Sequence, residues 1–306
     1  MESVSCNLCG SDSSKPILRG IDVRLRTPGN FTIVRCTECG LSFISPRPTL
    51  QAISKHYPAT YAEHTDAHLG NAFSATEAEM VSSRFSTPGS VLDVGCASGA
   101  FLLAMRDREW QVAGTDTNER AFDLAKSIPC ADIRLGLLEA DAFHPESFDA
   151  VTLWSVFEHL HDPLGTLRVI REVIRPDGRL FMVMPNYRSL ERMLFRTRWF
   201  ALELPRHLYH FTPSTLGRML SRGGFHVETL KQASGHDTLR FSLRLLTGRP
   251  MTGSLRDRDA RADTAEARTG IAPLVRRCNA ATVNGFTRTA DRLGMGSQML
   301  VVARPS

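Results

Sequence analysis

Apolar and polar positions follow two periods along this chain. Short apolar runs at 90–94, 111–116, 148–156 (FDAVTLWSV), 179–185 (RLFMVMP), 225–230 (FHVETL) and 298–304 (QMLVVAR) have the length and bounds of buried strands. Between them lie stretches of helical spacing at 99–109 (GAFLLAMRDRE), 119–127 and near 163–174, and a weaker strand signal near 132–135. Pro176-Asp177-Gly178 has turn chemistry and separates the last helix of this run from strand 179–185. Strands alternating with helices of this length predict a doubly wound α/β fold built on a parallel sheet. Beyond 230 the pattern changes. Segments 238–247 and 271–293 read as amphipathic helices flanking the charged loop MTGSLRDRDARADTAEARTG (251–270), and together they predict an inserted helical cap at about 236–294.

A smaller unit precedes the sheet. Cys6-Asn-Leu-Cys9-Gly and Cys36-Thr-Glu-Cys39-Gly are two Cys-x-x-Cys knuckles, and four thiolates from two such turns complete a closed tetrahedral zinc site. Gly10 and Gly40 let each knuckle turn back so that amides face the sulfurs. The intervening LRGIDVRLRTPGNFTIVR fits two strands joined at Pro28-Gly29-Asn30. This predicts a zinc ribbon over 1–48 with Cys6, Cys9, Cys36 and Cys39 as ligands of a structural metal. Cys96, Cys130 and Cys278 read as packing residues. Pro46 and Pro48 then open an extended linker into a short helical segment carrying Tyr57 and Tyr61. That segment divides between packing the ribbon and lying over a ligand cleft, and 49–85 is set apart as a linker and lid before the sheet domain at 86–306.

The strongest chemical signal is VLDVGCASG at 91–99. A strand that ends in a glycine turn and opens a helix brings a ligand against bare backbone. The middle glycine of the dinucleotide fingerprint is missing, and Asp93 places a carboxylate where a pyrophosphate would be repelled and an ammonium welcomed. Asp116, at the tip of the second strand, is placed to accept from both hydroxyls of a ribose. A ribose and a cationic amino acid without a phosphate site describe S-adenosylmethionine better than NAD. These residues resemble the class I S-adenosylmethionine-dependent methyltransferases. The resemblance implies a Rossmann-like seven-stranded sheet closed by an antiparallel last strand, which QMLVVAR after Gly294-Met-Gly296 would supply. Asp93, Gly95, Cys96, Gly99, Asp116, Thr117, Glu139 and Trp154 are the expected cofactor residues.

Chemistry is expected where the fourth strand ends, because ligands of such sheets bind at the strands' carboxyl ends near the reversal of strand order. The chain there reads WSVFEHLHDP (154–163). Histidine as a residue type has an unperturbed pKa of ~6.5, which suits His159 to general base work, and Glu158 is placed to orient it, raise its basicity or bind substrate. FDAVTLWSVFEHLHDP, MPN (184–186) and PRHLYHFTPSTL (205–216) are similar to a large bacterial family that includes sugar C-methyltransferases and natural-product enzymes. There the Glu-His pair is implicated in substrate proton transfer with a nearby N-terminal tyrosine, which Tyr57 or Tyr61 would match. Sugar C-methyltransferases continue into a further domain that this shorter chain lacks, which weighs against C-methylation. The family's adenine-side Asp is replaced in GLLEADAF (136–143) by Leu137, with Glu139 or Asp141 as substitutes. His207 and His210, in a segment that divides between facing substrate and packing, are reserve bases.

Composition sets limits on partners. The 306 residues carry a formal charge of +5, almost wholly from arginine, and 42% are hydrophobic. The N-terminus has no apolar signal region and no run approaches ~18 apolar residues, so a cytoplasmic protein outside the membrane is expected. The expected activity is methyl transfer to a hydroxyl of a sugar or small natural-product intermediate. The runner-up is an acidic carbon of a keto-sugar. A ribosomal RNA methyltransferase would need more aromatics among the ribbon's basic residues than Phe31 and Phe43. A non-catalytic cofactor-binding subunit sits poorly with the intact motifs. Oligomeric state is left open.

Overall fold

The computed structural model describes residues 1–58, 71–246 and 272–306; the loop expected at 251–270 and Tyr61 lie outside them. The chain divides into two compact units. One comprises Met1–Ala67, Pro185–Pro213 and Gln232–Met299, and the other His68–Met184, Ser214–Lys231 and Leu300–Ser306.

In the order of the chain, the strands are β1 (Ser14–Gly20), β2 (Phe31–Cys36), β3 (Ser42–Ile44), β4 (Ser90–Val94), β5 (Gln111–Asp116), β6 (Asp132–Leu135), β7 (Phe148–Trp154), β8 (Ile174–Pro185), β9 (Tyr209–His210), β10 (Phe225–Ala233) and β11 (Gln298–Pro305). The helices are α1 (Asn71–Ser82), α2 (Ala100–Arg106), α3 (Glu119–Ala125), α4 (Pro163–Val173), α5 (Leu190–Phe195), α6 (Pro213–Arg222), α7 (His236–Leu246) and α8 (Ala272–Arg292). Each strand expected from periodicity is present. Two local expectations fail: Cys130, expected to pack, is exposed, and Pro176-Asp177-Gly178 is no free turn but lies within β8. The register steps from Phe148 opposite Ile174 to Ala150 opposite Arg179, so the intervening residues bulge out of the ladder.

A seven-stranded sheet of order β10-β11-β8-β7-β4-β5-β6 organises the second unit. β4 pairs in parallel with both β5 and β7. The chain runs outward from β4 through β5 to β6, then restarts at β7 on the other side, so strand order reverses between β4 and β7. β11, the last strand, sits between β10 and β8, the seven-stranded Rossmann-like order of the class I methyltransferases. Val91, Leu102, Met105, Ala150, Phe181 and Val302 are fully or almost fully buried in one cluster beneath this sheet. Removing each large apolar side chain from water contributes about 1.5–3 kcal/mol, and this burial fixes the strand ends that carry the site.

The first unit is built around the ribbon. Its antiparallel strands β1, β2 and β3 are extended at the β3 edge by β9, where Phe43 faces Tyr209 and Ser42 faces His210. Phe31, Ile33 and Ile44 share a core with Trp199, Leu202 and Leu204, with Leu239 of α7, and with Val283 and Phe286 of α8. Ribbon and inserted helices are thus covered by the same apolar cluster.

Four charged residues are sealed into this unit. The Arg206 guanidinium donates to both oxygens of Asp22, at 2.7 and 3.0 Å, and its Nε donates to Glu203 at 3.2 Å. Arg24 donates to the other Glu203 oxygen. Asp22 also accepts from the amides of Arg24 and Leu25. Burial pushes the Asp22 carboxyl upward, but Arg206 and these donors more than offset it and hold the carboxyl below the ordinary aspartate value.

No helix among the described residues is long and apolar enough to cross a membrane.

Removing Arg206 strands a carboxylate at zero exposure. Arg206→Ala is therefore expected to destabilise this unit by about 3–5 kcal/mol, read by urea denaturation. Because the folded pKa of Asp22 is depressed, its contribution is fully present above the ordinary value of ~3.9 and fades as pH falls through the folded value. Parent stability should drop in that acid range, and the drop should shrink in Asp22→Asn.

Candidate active site

β4 ends in Asp93 and Val94, and the chain turns at once. A Cβ on Gly95 would lie 2.5 Å from Cγ2 of Val156, so this position admits only glycine at its φ of 76°. The amides of Gly95 and Cys96 both donate to the carbonyl of Thr115 on β5, at 2.7 and 3.0 Å. Ala97 stands where the dinucleotide fingerprint has its middle glycine, yet it keeps the left-handed conformation with φ 48°. That costs about 1 kcal/mol or more for a residue with a Cβ. Its amide donates to Oδ2 of Asp116 at 2.8 Å, which holds the turn in place. Cys96 is buried with its sulfur against Gly114, so its expected role narrows to its backbone.

Asp116 is half-buried at the tip of β5, and its second oxygen accepts from the Asn118 amide at 2.8 Å. Burial raises its pKa, while the amides of Asn118, Ala97 and Thr117 pull it back. Each carboxylate oxygen has a second lone pair, so ribose hydroxyls remain acceptable partners. Asn118 caps α3 by accepting from the Ala121 amide. Thr117 and Glu139 are exposed.

Asp93 is 2% exposed and accepts from the Thr152 hydroxyl on β7 at 2.6 Å. Burial, and then the charge of Asp116, push its carboxyl up to about 8 despite that bond. Glu77 of α1, 4% exposed, feels the Asp93 charge, and its Oε1 has no hydrogen-bond partner. Two sealed carboxyls, one with an orphaned oxygen, fit a cationic amino-acid group. Sequence reasoning overlooked Glu77. Its signal was an acid on a core-facing stripe, since Ser74, Glu77, Ala78 and Val81 follow i, i+3, i+4, i+7 and are all buried.

Trp154 ends β7 within the core, its ring edge-on to Phe101 at 5.4 Å. Glu158 and His159 follow on a short 3-10 turn, Phe157–His159. Glu158 is buried, and burial raises its carboxyl to about 8, opposed by its own backbone amide. Near neutral pH it is mostly protonated, a hydrogen-bond donor more than a charge. His159 is half-buried, with its amide bonded to the Val156 carbonyl.

The remaining sequence-predicted residues lie in the first unit. Tyr57 ends the 3-10 turn Ile53–His56 and is half-buried. His207 is buried, its Nδ1 2.9 Å from the Ala201 carbonyl, which puts the proton on that nitrogen. His210 is buried in β9, where burial and then the Arg192 charge lower it to about 3, too weak a base for proton transfer near neutrality. Arg206 is committed to Asp22 and Glu203, and the buried Tyr209 hydroxyl accepts from Arg47 at 3.1 Å. Much of the PRHLYH segment is therefore packing. A groove of about 480 Å³ in this unit is lined by Asp22, Arg26, Thr27, Arg198 and Leu245, and by none of the expected site residues.

The four knuckle sulfurs lie within 4.8 Å of one another, with Cys6–Cys39 at 3.4 Å and Cys9–Cys36 at 3.5 Å. A disulfide needs ~2.05 Å, whereas sulfurs on the edge of a zinc tetrahedron stand about 3.8 Å apart. The Gly10 and Gly40 amides close each knuckle onto the Cys6 and Cys36 carbonyls. Burial disfavours the Cys36 thiolate, but the amides of Cys39 and Glu38 outweigh it and bring the thiol to about 7. The set fits a structural zinc, closed to substrate.

A family model described as "Methyltransferase domain" matches residues 61–230. The chain belongs to this methyltransferase family. Its cofactor is S-adenosylmethionine. Among curated proteins, the methyltransferase is 31% identical over 150 residues to "Ubiquinone biosynthesis O-methyltransferase" of Nitrosospira multiformis, covering 45% of this chain and 63% of that protein. The match thus spans less than two thirds of that relative's length. Among solved structures it resembles the cyclase SpnF at a TM-score of 0.53 and 19% identity, over 85% of this chain and 97% of that one. It also resembles a Thermotoga maritima protein titled "SAM-dependent methyltransferase, possible histamine N-methyltransferase", at 0.52 and 12%, over 82% and 99%. These likenesses show the fold.

Two outcomes are expected of the methyltransferase. Asp116→Ala should weaken S-adenosylhomocysteine binding by about 30- to 150-fold, since bonds to charged groups are worth ~1.5–3 kcal/mol each; unchanged affinity by calorimetry would count against the ribose assignment. Elemental analysis should find one zinc per chain, and a chelator should loosen the ribbon while the seven-stranded sheet keeps its circular dichroism. A metal-free protein of unchanged stability would remove the zinc.

Proposed function

We propose that this methyltransferase methylates a hydroxyl of a small sugar or natural-product intermediate, with His159 as general base. One observation carries the reading: a half-buried histidine follows β7 directly, at the carboxyl end of the strand flanking the reversal of order beside β4. The Nitrosospira multiformis relative is named an O-methyltransferase, which favours oxygen over carbon as the acceptor atom. A zinc set of four cysteines suits the reducing cytoplasm.

S-adenosylmethionine, when bound, supplies an electrophilic sulfonium methyl group. Asp116 and the β4 turn hold its ribose, and Asp93 its ammonium. The chain's further work is alignment of the acceptor and removal of a proton. A hydroxyl is a poor nucleophile at neutral pH until its proton is drawn off, and His159 takes that proton on an imidazole nitrogen. The Glu158 carboxyl, protonated near pH 7, donates a hydrogen bond without adding charge beside the base. Tyr57 is a candidate for the N-terminal tyrosine of such sites.

His159→Ala should leave S-adenosylhomocysteine affinity intact and reduce turnover about 10²- to 10⁴-fold, measured on candidate acceptors. Glu158→Gln should show a smaller defect, because the amide keeps a donor. If His159→Ala keeps parental turnover while His207→Ala abolishes it, the base is His207 and the reading of His159 fails.

A further inference from the structure

We infer that Glu77 is the second carboxyl of the cofactor's ammonium site, so that Asp93 and Glu77 hold the amino-acid end of the cofactor between them. The inference rests on the cofactor assignment and is independent of the acceptor and of His159.

The geometry begins with α1. A helix that packs an acid onto a protein core does so against a cost of several kcal/mol unless the charge is matched. Glu77 takes a core position of that helix at 4% exposure, and α1 packs on α2, the helix opened by the β4 turn. Its Oε1 has no hydrogen-bond partner. Two arginines of the α2 region are engaged elsewhere: Arg108 pairs with Glu79 and Arg106 with Asp107. Among the described residues Asp93 is the one charged group that acts on Glu77; Asp93 in turn faces Asp116 from β5 and the Thr152 hydroxyl from β7. No cation among the described residues answers these carboxyls. A core built only for packing would place an apolar side chain at 77, between Ser74 and Val81 on the same stripe.

Burial first, and then the Asp93 charge, raise Glu77 to about 9, beside Asp93 at about 8. Both carboxyls are therefore mostly protonated at pH 7 when no ligand is bound. An ammonium between them favours the charged forms, so ligand binding expels protons from the pair into solution. The sign follows: affinity for a ligand carrying the ammonium rises with pH from about 6 to 7.5.

The test is calorimetry with two ligands, S-adenosylhomocysteine and methylthioadenosine, which share the nucleoside and differ in the amino-acid group. For the parent, S-adenosylhomocysteine binding at pH 7, compared in buffers of different ionisation enthalpy, should release protons, and methylthioadenosine should release few. Glu77→Gln should bind S-adenosylhomocysteine about 10- to 100-fold more weakly, release fewer protons, and bind methylthioadenosine as the parent does. Equal losses for both ligands, or an unchanged S-adenosylhomocysteine affinity, would overturn the inference. So would parent binding without proton release, a measurement that needs no variant to fold. Failure of the parent to bind either ligand would instead strike the cofactor assignment.

Discussion

The site depends on one fastening. Three consecutive amides of the turn after β4, those of Gly95, Cys96 and Ala97, end on the Thr115 carbonyl and the Asp116 carboxylate of the neighbouring strand. Two parallel strands can be held in register by their ladder alone, but a ladder says nothing about the loop above it. Here the loop is tied sideways, so the residue that would hold the ribose also shapes the turn beneath the cofactor. Ala97 carries the local strain of this arrangement, and Val156 closes the space in which Gly95 could have tolerated a side chain.

The electrostatics of the sheet end follow from the same compression. Asp93, Glu77 and Glu158 are each buried within a few per cent of full enclosure. Their carboxyls stay protonated chiefly because water has been removed, and at Asp93 and Glu77 a like-charged neighbour adds to it. Such a site has little net charge until a ligand supplies a positive one. Selectivity for a cationic ligand then comes from the cost of leaving the acids unanswered.

Much of this was legible beforehand. Strand periodicity located β4, β5, β7 and β11 closely, because a buried strand must be apolar on both faces wherever it lies in the chain. Asp93, Asp116 and the cysteine knuckles were visible because their chemistry demands fixed spacing. Glu77 was not, since an acid in a helical stretch reads as a solvated face unless its stripe is followed position by position. Arg206 lies in a segment whose sequence divides between facing substrate and packing; its partner Asp22 is 184 residues away, and pairing across that distance has no local signature. Periodicity likewise reports that Leu239 and Phe286 have an apolar face, and not that Phe31 and Ile33 cover it.

That shared core also imposes a schedule on synthesis. The ribbon's strands and all four metal ligands emerge within the first 44 residues, yet the side chains that cover them, from Trp199 to Phe286, arrive much later. At roughly 5–20 residues per second, Ile44 waits about 10–40 s for Leu239 to be made. Through that interval Phe31, Ile33 and Ile44 form a finished sheet face with nothing on it. The order of the chain thus leaves this apolar face bare until the later segments are made.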